Sequence, residues 1–312
     1  MAKAGSARVT GVAGRGALIG VLLSLAGYYL FNLSDATSKL LVENLPVLQI
    51  VGMQFVVVLL LTPLLMRGTP WRSVVARPRR HVYLLRTGCQ LGSAVTFIWA
   101  IKTLPLADVI AIGFVAPFFI TIAAALFLGE RVGPRRWIAC AVGLAGALIV
   151  LRPGFQVDIA TAILPLSSAL FYALYAVLTR LVSHEANAKV LLAYNGLIGT
   201  PVMLCVMPFV WIWPTAGEWA GLAAIGLLSA FGHLAIIRAY TIAPASLIAP
   251  FQYLEITGAA LLGWLIFHQF PDATSWAGIA IIVASGLFVF WRESRLARAG
   301  EATAAGEGGY HP

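Results

Sequence analysis

The sequence predicts an all-α membrane protein of ten transmembrane helices, arranged as two inverted-topology five-helix repeats around a central cavity. Three observations lead to this prediction: the composition, the distribution of basic residues, and an internal repeat. Of the 312 residues, 60% are hydrophobic and 11% are charged, whereas a soluble domain carries about 25% charged residues. So few charges could not cover the surface of a soluble protein of this size, and lipid is therefore the expected solvent.

Apolar blocks recur along the chain, and each is close to the roughly 20 residues that a helix needs to cross a hydrocarbon core of about 30 Å. The first block follows Lys3, Arg8 and Arg15, as in a signal peptide, but it contains Asn32 and Asp35 and shows no convincing small-residue cleavage site, so we interpret it as a retained first span. The predicted spans are 17–40, 47–66, 82–103, 105–128, 134–151, 158–182, 190–213, 217–241, 244–267 and 273–291.

The basic residues lie almost entirely on one side of these spans. With the N-terminus in the cytoplasm, 18 Lys and Arg residues are cytoplasmic, and only Lys39, Lys102 and Arg152 face outside, which accounts for all 21. Arg86 belongs to the cytoplasmic group in this count. The positive-inside rule makes such a split a strong orientation signal. We therefore expect a multi-pass protein of the bacterial inner membrane with cytoplasmic tails at 1–16 and 293–312, the second disordered.

The two halves of the chain, 17–152 and 158–292, overlay at an offset of 139 to 141 residues. Because each half holds five spans, the second half must enter the membrane from the opposite side. Inverted repeats of this kind are the architecture that many secondary transporters use for alternating access. The matched pairs are Pro105 with Pro244, Trp137 with Trp276, Gly146 with Gly286, Arg152 with Arg292, Gln54 with Asn195, and Lys39 with Arg180.

A family resemblance rests on the stretch from Thr103 to Gly154. It contains LADVIAIGFVAPFF, then LGER, then a helix with spaced glycines that ends in a Pro-Gly turn. This pattern resembles the EamA-type domain of the drug/metabolite transporter (DMT) superfamily, and a weaker copy runs from Tyr240 to Arg292, with Phe-His-Gln-Phe in place of LGER. The resemblance implies a transporter of amino acids, purines, riboflavin, S-adenosylmethionine or other metabolites, and is greatest to the YddG-type amino-acid exporters.

Polar residues within spans usually face a bundle interior or an aqueous cavity. In the first span Tyr28, Asn32, Asp35 and Lys39 follow one another at steps of four, three and four, which places them on one helical face. We expect this face to line a central pathway, and the alternative is that it forms hydrogen bonds between helices. An Asp35–Lys39 ion pair is a second open possibility. The equivalent residues on the sixth span are Ser168, Tyr172, Tyr175 and Thr179.

The deepest carboxylate is Glu255, near the middle of the ninth span. It could receive the ammonium group of a substrate, carry a proton, or stay neutral in a bond to a neighbouring helix. His233 shares a stripe with Ser229 on the eighth span, although a lone histidine is usually a core residue. The predicted substrate-binding set is Tyr28, Asn32, Asp35, Gln90, Trp99, Tyr172, Tyr175, His233, Tyr240, Gln252 and Glu255.

No enzyme motif is present: the sequence has no Walker loop, GxSxG, HExxH or carboxylates at metal spacing. We therefore expect no catalytic residue, metal or cofactor, and Glu130 and Arg131 of LGER are interpreted as a helix-end ion pair. The expected partners are a small-molecule substrate and the lipid bilayer, without nucleic acid, for a monomer or weak dimer. The alternatives are another substrate within the same family, an intramembrane lipid-modifying enzyme using His233 and Glu255, and a sensor or assembly protein.

Overall fold

The computed structural model describes residues 3–68, 79–127, 133–152, 158–182, 188–242 and 248–307, and the regular secondary structure within them is entirely helical. Two 3₁₀ turns, Met207–Phe209 and Ala249–Tyr253, accompany the α-helices. The helices are α1 (Lys3–Leu41), α2 (Val47–Leu65), α3 (Arg80–Thr103), α4 (Leu106–Gly113), α5 (Ala116–Phe127), α6 (Pro134–Leu151), α7 (Ile159–Val182), α8 (Ala188–Val206), α9 (Ala216–Ile242), α10 (Leu254–Phe267) and α11 (Ala273–Glu307).

Seven stretches of the described chain are long and apolar enough to cross a membrane. Three shorter apolar helices, Trp137–Leu151, Phe251–Phe267 and Ala273–Val289, lie where the fifth, ninth and tenth spans are predicted. The prediction of an all-helical membrane protein is confirmed. The count of ten crossings remains a prediction, because these three helices are shorter than the other seven.

The fourth predicted span is not one helix. α4 ends at Gly113 and α5 begins at Ala116, and the two are joined by short-range bonds such as Val115 N to Ile112 O. Pro117 explains the break, since it has no amide hydrogen and its ring clashes with the carbonyl group four residues earlier. In the second half Pro250 stands in a second Ala-Pro-Phe sequence, within the 3₁₀ turn that precedes α10.

Two helix ends differ from the prediction. α8 ends at Val206 rather than at 213, because Pro208 disfavours helical backbone in the residue before it. The chain that follows is held by Gln49, whose side-chain amide donates to Ile212 O at 2.8 Å and accepts from Ile212 N at 2.9 Å. α11 continues to Glu307, where a disordered tail was expected from 293, because its alanine, glutamate and arginine residues favour helix.

Helix packing follows the predicted repeat. α1 packs along α9, and α7, its equivalent by the offset, packs along α3, the equivalent of α9. In the same way α10 packs on α1 as α5 packs on α7, and α2 packs on α9 as α8 packs on α3. α6 packs on α11 and α2 on α8, so each of these helices meets its own equivalent.

Glycines set the closest helix crossings. A Cβ on Gly27 of α1 would lie 3.1 Å from Gly232 O of α9, and one on Gly232 would lie 3.2 Å from Gly27 O. α6 and α11 cross in the same manner at Gly146 and Gly278. Close backbone approach through small residues is the usual way in which helices associate in lipid, where the hydrophobic effect provides no attraction between them.

Candidate functional site

Asn32 joins α1 to α10 beside the deepest carboxylate. Its Nδ2 donates to the main-chain oxygen of Glu255 at 3.0 Å, and its side chain is fully buried. The contact is tight, because a Cβ on Gly258 would lie 2.3 Å from Asn32 Nδ2. Asn32 Oδ1 is buried and has no hydrogen-bond donor among the described residues.

Asp35 and Glu255 lie close enough to each other to interact electrostatically. Each is partly accessible, and within the described part of the chain neither carboxylate accepts a hydrogen bond or forms an ion pair. Glu255 lies in the first turn of α10, directly after the break at Pro250, where the helix dipole favours negative charge. We call Asn32, Asp35 and Glu255 the acidic pole.

Lys39 does not neutralise the acidic pole. Its Nζ donates to Ile101 O at 2.8 Å and to Leu104 O at 2.6 Å, and it lies 5.3 Å from the centroid of the Phe267 ring. These carbonyls belong to the C-terminal end of α3, whose dipole attracts a cation. No Asp35–Lys39 ion pair forms, because the ammonium group is used to cap α3 instead.

A second polar cluster joins α3, α7 and α8 around Arg86, which is 2% exposed. Its Nε donates to Thr179 Oγ1 at 2.7 Å, its Nη2 to Tyr175 Oη at 2.7 Å, and its Nη1 to Asn195 Oδ1 at 2.9 Å and Leu191 O at 3.1 Å. The guanidinium carbon also lies 4.4 Å from the centroid of the Tyr175 ring. We call Arg86, Tyr175, Thr179 and Asn195 the basic pole.

Arg86 is the functional candidate that the sequence analysis missed. The charge count places Arg86 with the cytoplasmic basic residues, but it lies in the second turn of α3 and is buried. The signal was available, since Arg86 falls inside the predicted span 82–103, one turn from Gln90. A charged residue inside a span is costly unless it has partners. Arg86 was not predicted as a site residue because it lies close in sequence to a basic loop.

The polar stripe on α7 packs against α3. Ser168 and Ser93 exchange hydrogen bonds between hydroxyl and main-chain oxygen at 3.1 Å, and Tyr175 and Thr179 both bind Arg86. These bonds are of the kind expected if polar residues hold helices together. Tyr172 differs in being 49% exposed, and its ring lies 6.1 Å from the Tyr175 ring between centroids.

His233 lies between the two poles. Its Nδ1 is 2.8 Å from Ser229 O, which requires a proton on Nδ1, and its ring meets the edge of Phe31 with centroids 4.8 Å apart. Phe31 is one helical turn from Asp35, and His233 is within electrostatic reach of Arg86. His233 forms no hydrogen bond with Glu255 in the described structure, so the dyad that an intramembrane enzyme would need is not assembled.

The remaining predicted site residues have varied settings. Gln90 Oε1 is buried without a donor among the described residues, Gln252 bonds the Tyr253 side chain beside the Pro250 break, and Tyr28 is buried. Trp99 is 50% exposed. The side chain of Tyr240, and Glu130 and Arg131 of LGER, lie outside the described residues. Their roles remain predictions.

The described residues offer no group of three or more His, Cys, Asp or Glu side chains that could hold a metal ion. An ion pair between Arg152 and Asp272 joins the end of α6 to the start of α11. Asp272 also accepts from Ser275 N at 2.8 Å, as the N-cap of α11. The Arg152 guanidinium and this cap lower the pKa of Asp272 from 3.8 to about 2.

A solved crystal structure has the same fold, with a TM-score of 0.63 over 91% of this chain and 99% of its own, at 17% identity. Relatives with stated functions include a riboflavin transporter of Vibrio cholerae, 32% identical over 70% of this chain and 72% of its own. A pseudopaline exporter of Pseudomonas aeruginosa is 33% identical over 85% and 94%, and an S-adenosylmethionine uptake transporter of Rickettsia prowazekii is 26% identical over 72% and 76%.

The family comparison covers both halves of the chain. The EamA-like transporter family matches twice, at residues 17–152 and at residues 159–291. Together the two matches leave out little more than the tails and the link between the halves. The relatives that match along most of their own length are transporters of small metabolites. The chain belongs to the EamA-like transporter family and, with it, to the transporters of small metabolites.

Proposed function

We propose that this protein is a secondary transporter that moves a small amine-bearing metabolite across the bacterial inner membrane by alternating access. Its two inverted repeats, 17–152 and 158–292, would supply ten crossings with both termini in the cytoplasm. The paired packing of equivalent helices supports this arrangement, since a scaffold with two equivalent halves can exchange an inward-open for an outward-open state.

The observation behind the choice of substrate is the acidic pole. Two carboxylates lie together at mid-bundle, and no described cation or hydrogen-bond donor binds either side chain. Ionised carboxylates in such a place are costly unless something neutralises them. A substrate carrying an ammonium group would do so, and it would be held at a discontinuous helix, where secondary transporters commonly bind their substrates.

Among amine-bearing metabolites we propose an amino acid as the substrate and export as its direction. The pseudopaline exporter, which is matched over 94% of its own length, supports export as the direction of transport. Other relatives are transporters of riboflavin and S-adenosylmethionine, so another substrate of the family is the alternative. Transport of riboflavin without any dependence on Asp35 or Glu255 would favour that alternative.

Glu255→Gln tests the proposal because it keeps the shape of the side chain and removes the charge. A hydrogen bond to a charged group contributes about 1.5–3 kcal/mol, so the apparent KM for amine substrates should rise roughly ten- to a hundredfold. The assay is counterflow of radiolabelled metabolites in proteoliposomes. Glu43→Gln is the matched control, because Glu43 is exposed in the turn after α1.

The outcomes separate three roles for Glu255. A raised KM supports ammonium binding, whereas uptake that loses its pH dependence while exchange persists assigns Glu255 to proton coupling. Near-normal transport with ordinary pH dependence would show that Glu255 is structural and would overturn the amine assignment. Chemical conversion of a lipid in the same vesicles, without solute flux, would favour the enzyme alternative.

A further inference from the structure

The basic pole has hydrogen-bond donors left over. A guanidinium group carries five N–H bonds, and Arg86 uses four of them on Thr179, Leu191, Asn195 and Tyr175. One N–H of Nη2 remains. The Tyr175 hydroxyl accepts from Arg86, and within the described residues its own hydrogen has no acceptor. The two atoms that carry these unused hydrogens, Arg86 Nη2 and Tyr175 Oη, lie 2.7 Å apart beside a fixed positive charge.

The same cluster lacks a negative charge. The four described partners of Arg86 are neutral oxygens, and no described carboxylate touches the guanidinium group. His233 on α9 is within electrostatic reach of Arg86 and can only add positive charge. A buried arginine is usually paired with an acid, so the component that is missing from this cluster is an anion.

The two poles are complementary in what they lack. The acidic pole has acceptors without donors, namely Asn32 Oδ1 and the two carboxylates, and the basic pole has donors without acceptors. They border the same part of the bundle, because His233 contacts Phe31, one turn from Asp35, and interacts with Arg86. One molecule that carries both an ammonium group and a carboxylate would satisfy both poles.

We infer that Arg86 and the Tyr175 hydroxyl bind the carboxylate of a substrate whose ammonium group is received by Asp35 and Glu255. The substrate class is therefore zwitterionic, an amino acid or a larger molecule that carries both groups, rather than a simple amine or a neutral ring. This inference rests on the proposed function and adds a second, anion-binding end to its site.

The bonds of Arg86 also tie three helices together, so loss of activity in a variant would not by itself show recognition. The informative quantity is a ratio: the apparent affinity for an acid divided by that for its amide. A variant that only loosens the fold lowers both affinities and leaves the ratio unchanged. A variant that damages carboxylate recognition lowers the ratio.

The test is inhibition of counterflow in proteoliposomes by three matched series, each made of an acid, its amide and the corresponding amine without a carboxyl group. The series are phenylalanine, phenylalaninamide and phenethylamine; leucine, leucinamide and isoamylamine; and arginine, argininamide and agmatine. We expect the wild-type protein to prefer the acid in at least one series by tenfold or more. Tyr175→Phe, which keeps the ring on Arg86 and removes only the hydroxyl, should reduce that preference several-fold, and Arg86→Lys should abolish it. Arg180→Lys, on the exposed face of the same helix α7, should retain it.

Each result decides the matter. If amides and amines compete as well as acids in every series, or if Tyr175→Phe leaves a strong acid preference intact, the inference is wrong. It is also wrong if the amines, which lack a carboxyl group, are transported as well as the acids and this transport depends on Glu255. The proposed function would then hold without the inference. If none of the nine compounds competes, both fall. Should Arg86→Lys fail to fold, the wild-type series and Tyr175→Phe still decide.

Discussion

Gly146→Ala gives a direct test of the packing between α6 and α11. A Cβ on Gly146 would lie 2.9 Å from Gly278 O and 2.9 Å from Ile282 Cγ1. The Ile282 side chain can rotate away, but Gly278 O belongs to the backbone of α11 and can move only if the two helices separate. A single methyl group therefore forces the whole helix pair to shift.

The expected loss of stability of Gly146→Ala follows from comparison with Gly88→Ala in α3. A Cβ on Gly88 would meet no atom within 4 Å, and both variants gain the same helix propensity. Gly88→Ala should be neutral or stabilising by about 0.5–1 kcal/mol. Overpacking of a close contact costs about 1–3 kcal/mol, so Gly146→Ala should be less stable than Gly88→Ala by about that amount.

The assay can use the protein's own thiols. Cys89 and Cys140 are buried, whereas Cys205 is exposed. In a Cys205→Ala background, a thiol-reactive fluorophore reports thermal unfolding in detergent through the two buried cysteines. Gly146→Ala should melt below Gly88→Ala. If it melts at the same temperature or higher, the close approach of α6 and α11 is wrong.

Two further predictions concern the ends of the helices. Asp272→Asn should remove an acid-sensitive contribution to stability, because Arg152 lowers the pKa of Asp272 from 3.8 to about 2. The wild-type contribution is complete above about pH 5 and is lost as the pH falls towards 2. Melting temperatures of the two proteins should therefore converge from pH 5 to 2.5. A cysteine at Ser73 should be labelled by an impermeant reagent only from the cytoplasm and one at Ala216 only from outside, and labelling of both from one side would contradict the ten-span topology.

The sequence predicts the helical class, most helix positions and the placement of Asn32 and Asp35 inside the bundle, because a polar residue in an apolar stretch has few other places to go. It does not reveal where Lys39 and Arg86 bind. Both lie near span ends, where a basic residue usually reaches water. Their actual partners are carbonyl, hydroxyl and amide oxygens of helices distant in sequence, and hydrophobic periodicity carries no information about them.

The helix breaks at Pro117 and Pro250 show a similar limit. Each proline is visible in the sequence, but length and hydropathy favour one continuous span from 105 to 128. The cost of the missing amide hydrogen decides between a kink and a break, and that cost depends on whether neighbouring helices pack against two separate pieces. Here both pieces pack on α6 and α7, and α4 packs on α10 as well, so the two pieces differ in part of their surroundings.

The matched residues of the two halves have related roles, which argues that the scaffold is duplicated. Gln54 of α2 donates to Ser229 of α9, and Asn195 of α8 accepts from Arg86 of α3, so equivalent amides reach equivalent helices. Arg152 at the end of α6 binds Asp272 at the start of α11. Its equivalent, Arg292 of α11, approaches Gly133 at the start of α6.

The charges of the two poles do not follow this duplication. Glu255 falls on Ala116 in the first half, and Arg86 falls among Ile225, Gly226 and Leu227 in the second. A duplicated scaffold with duplicated chemistry would present two like sites and suit a ligand with two like ends. Here Glu255 and Arg86 have no charged equivalent in the other half, and the equivalent of Asp35 is Tyr175. Helix packing does not require this difference, whereas recognition of a ligand with one acidic and one basic end does.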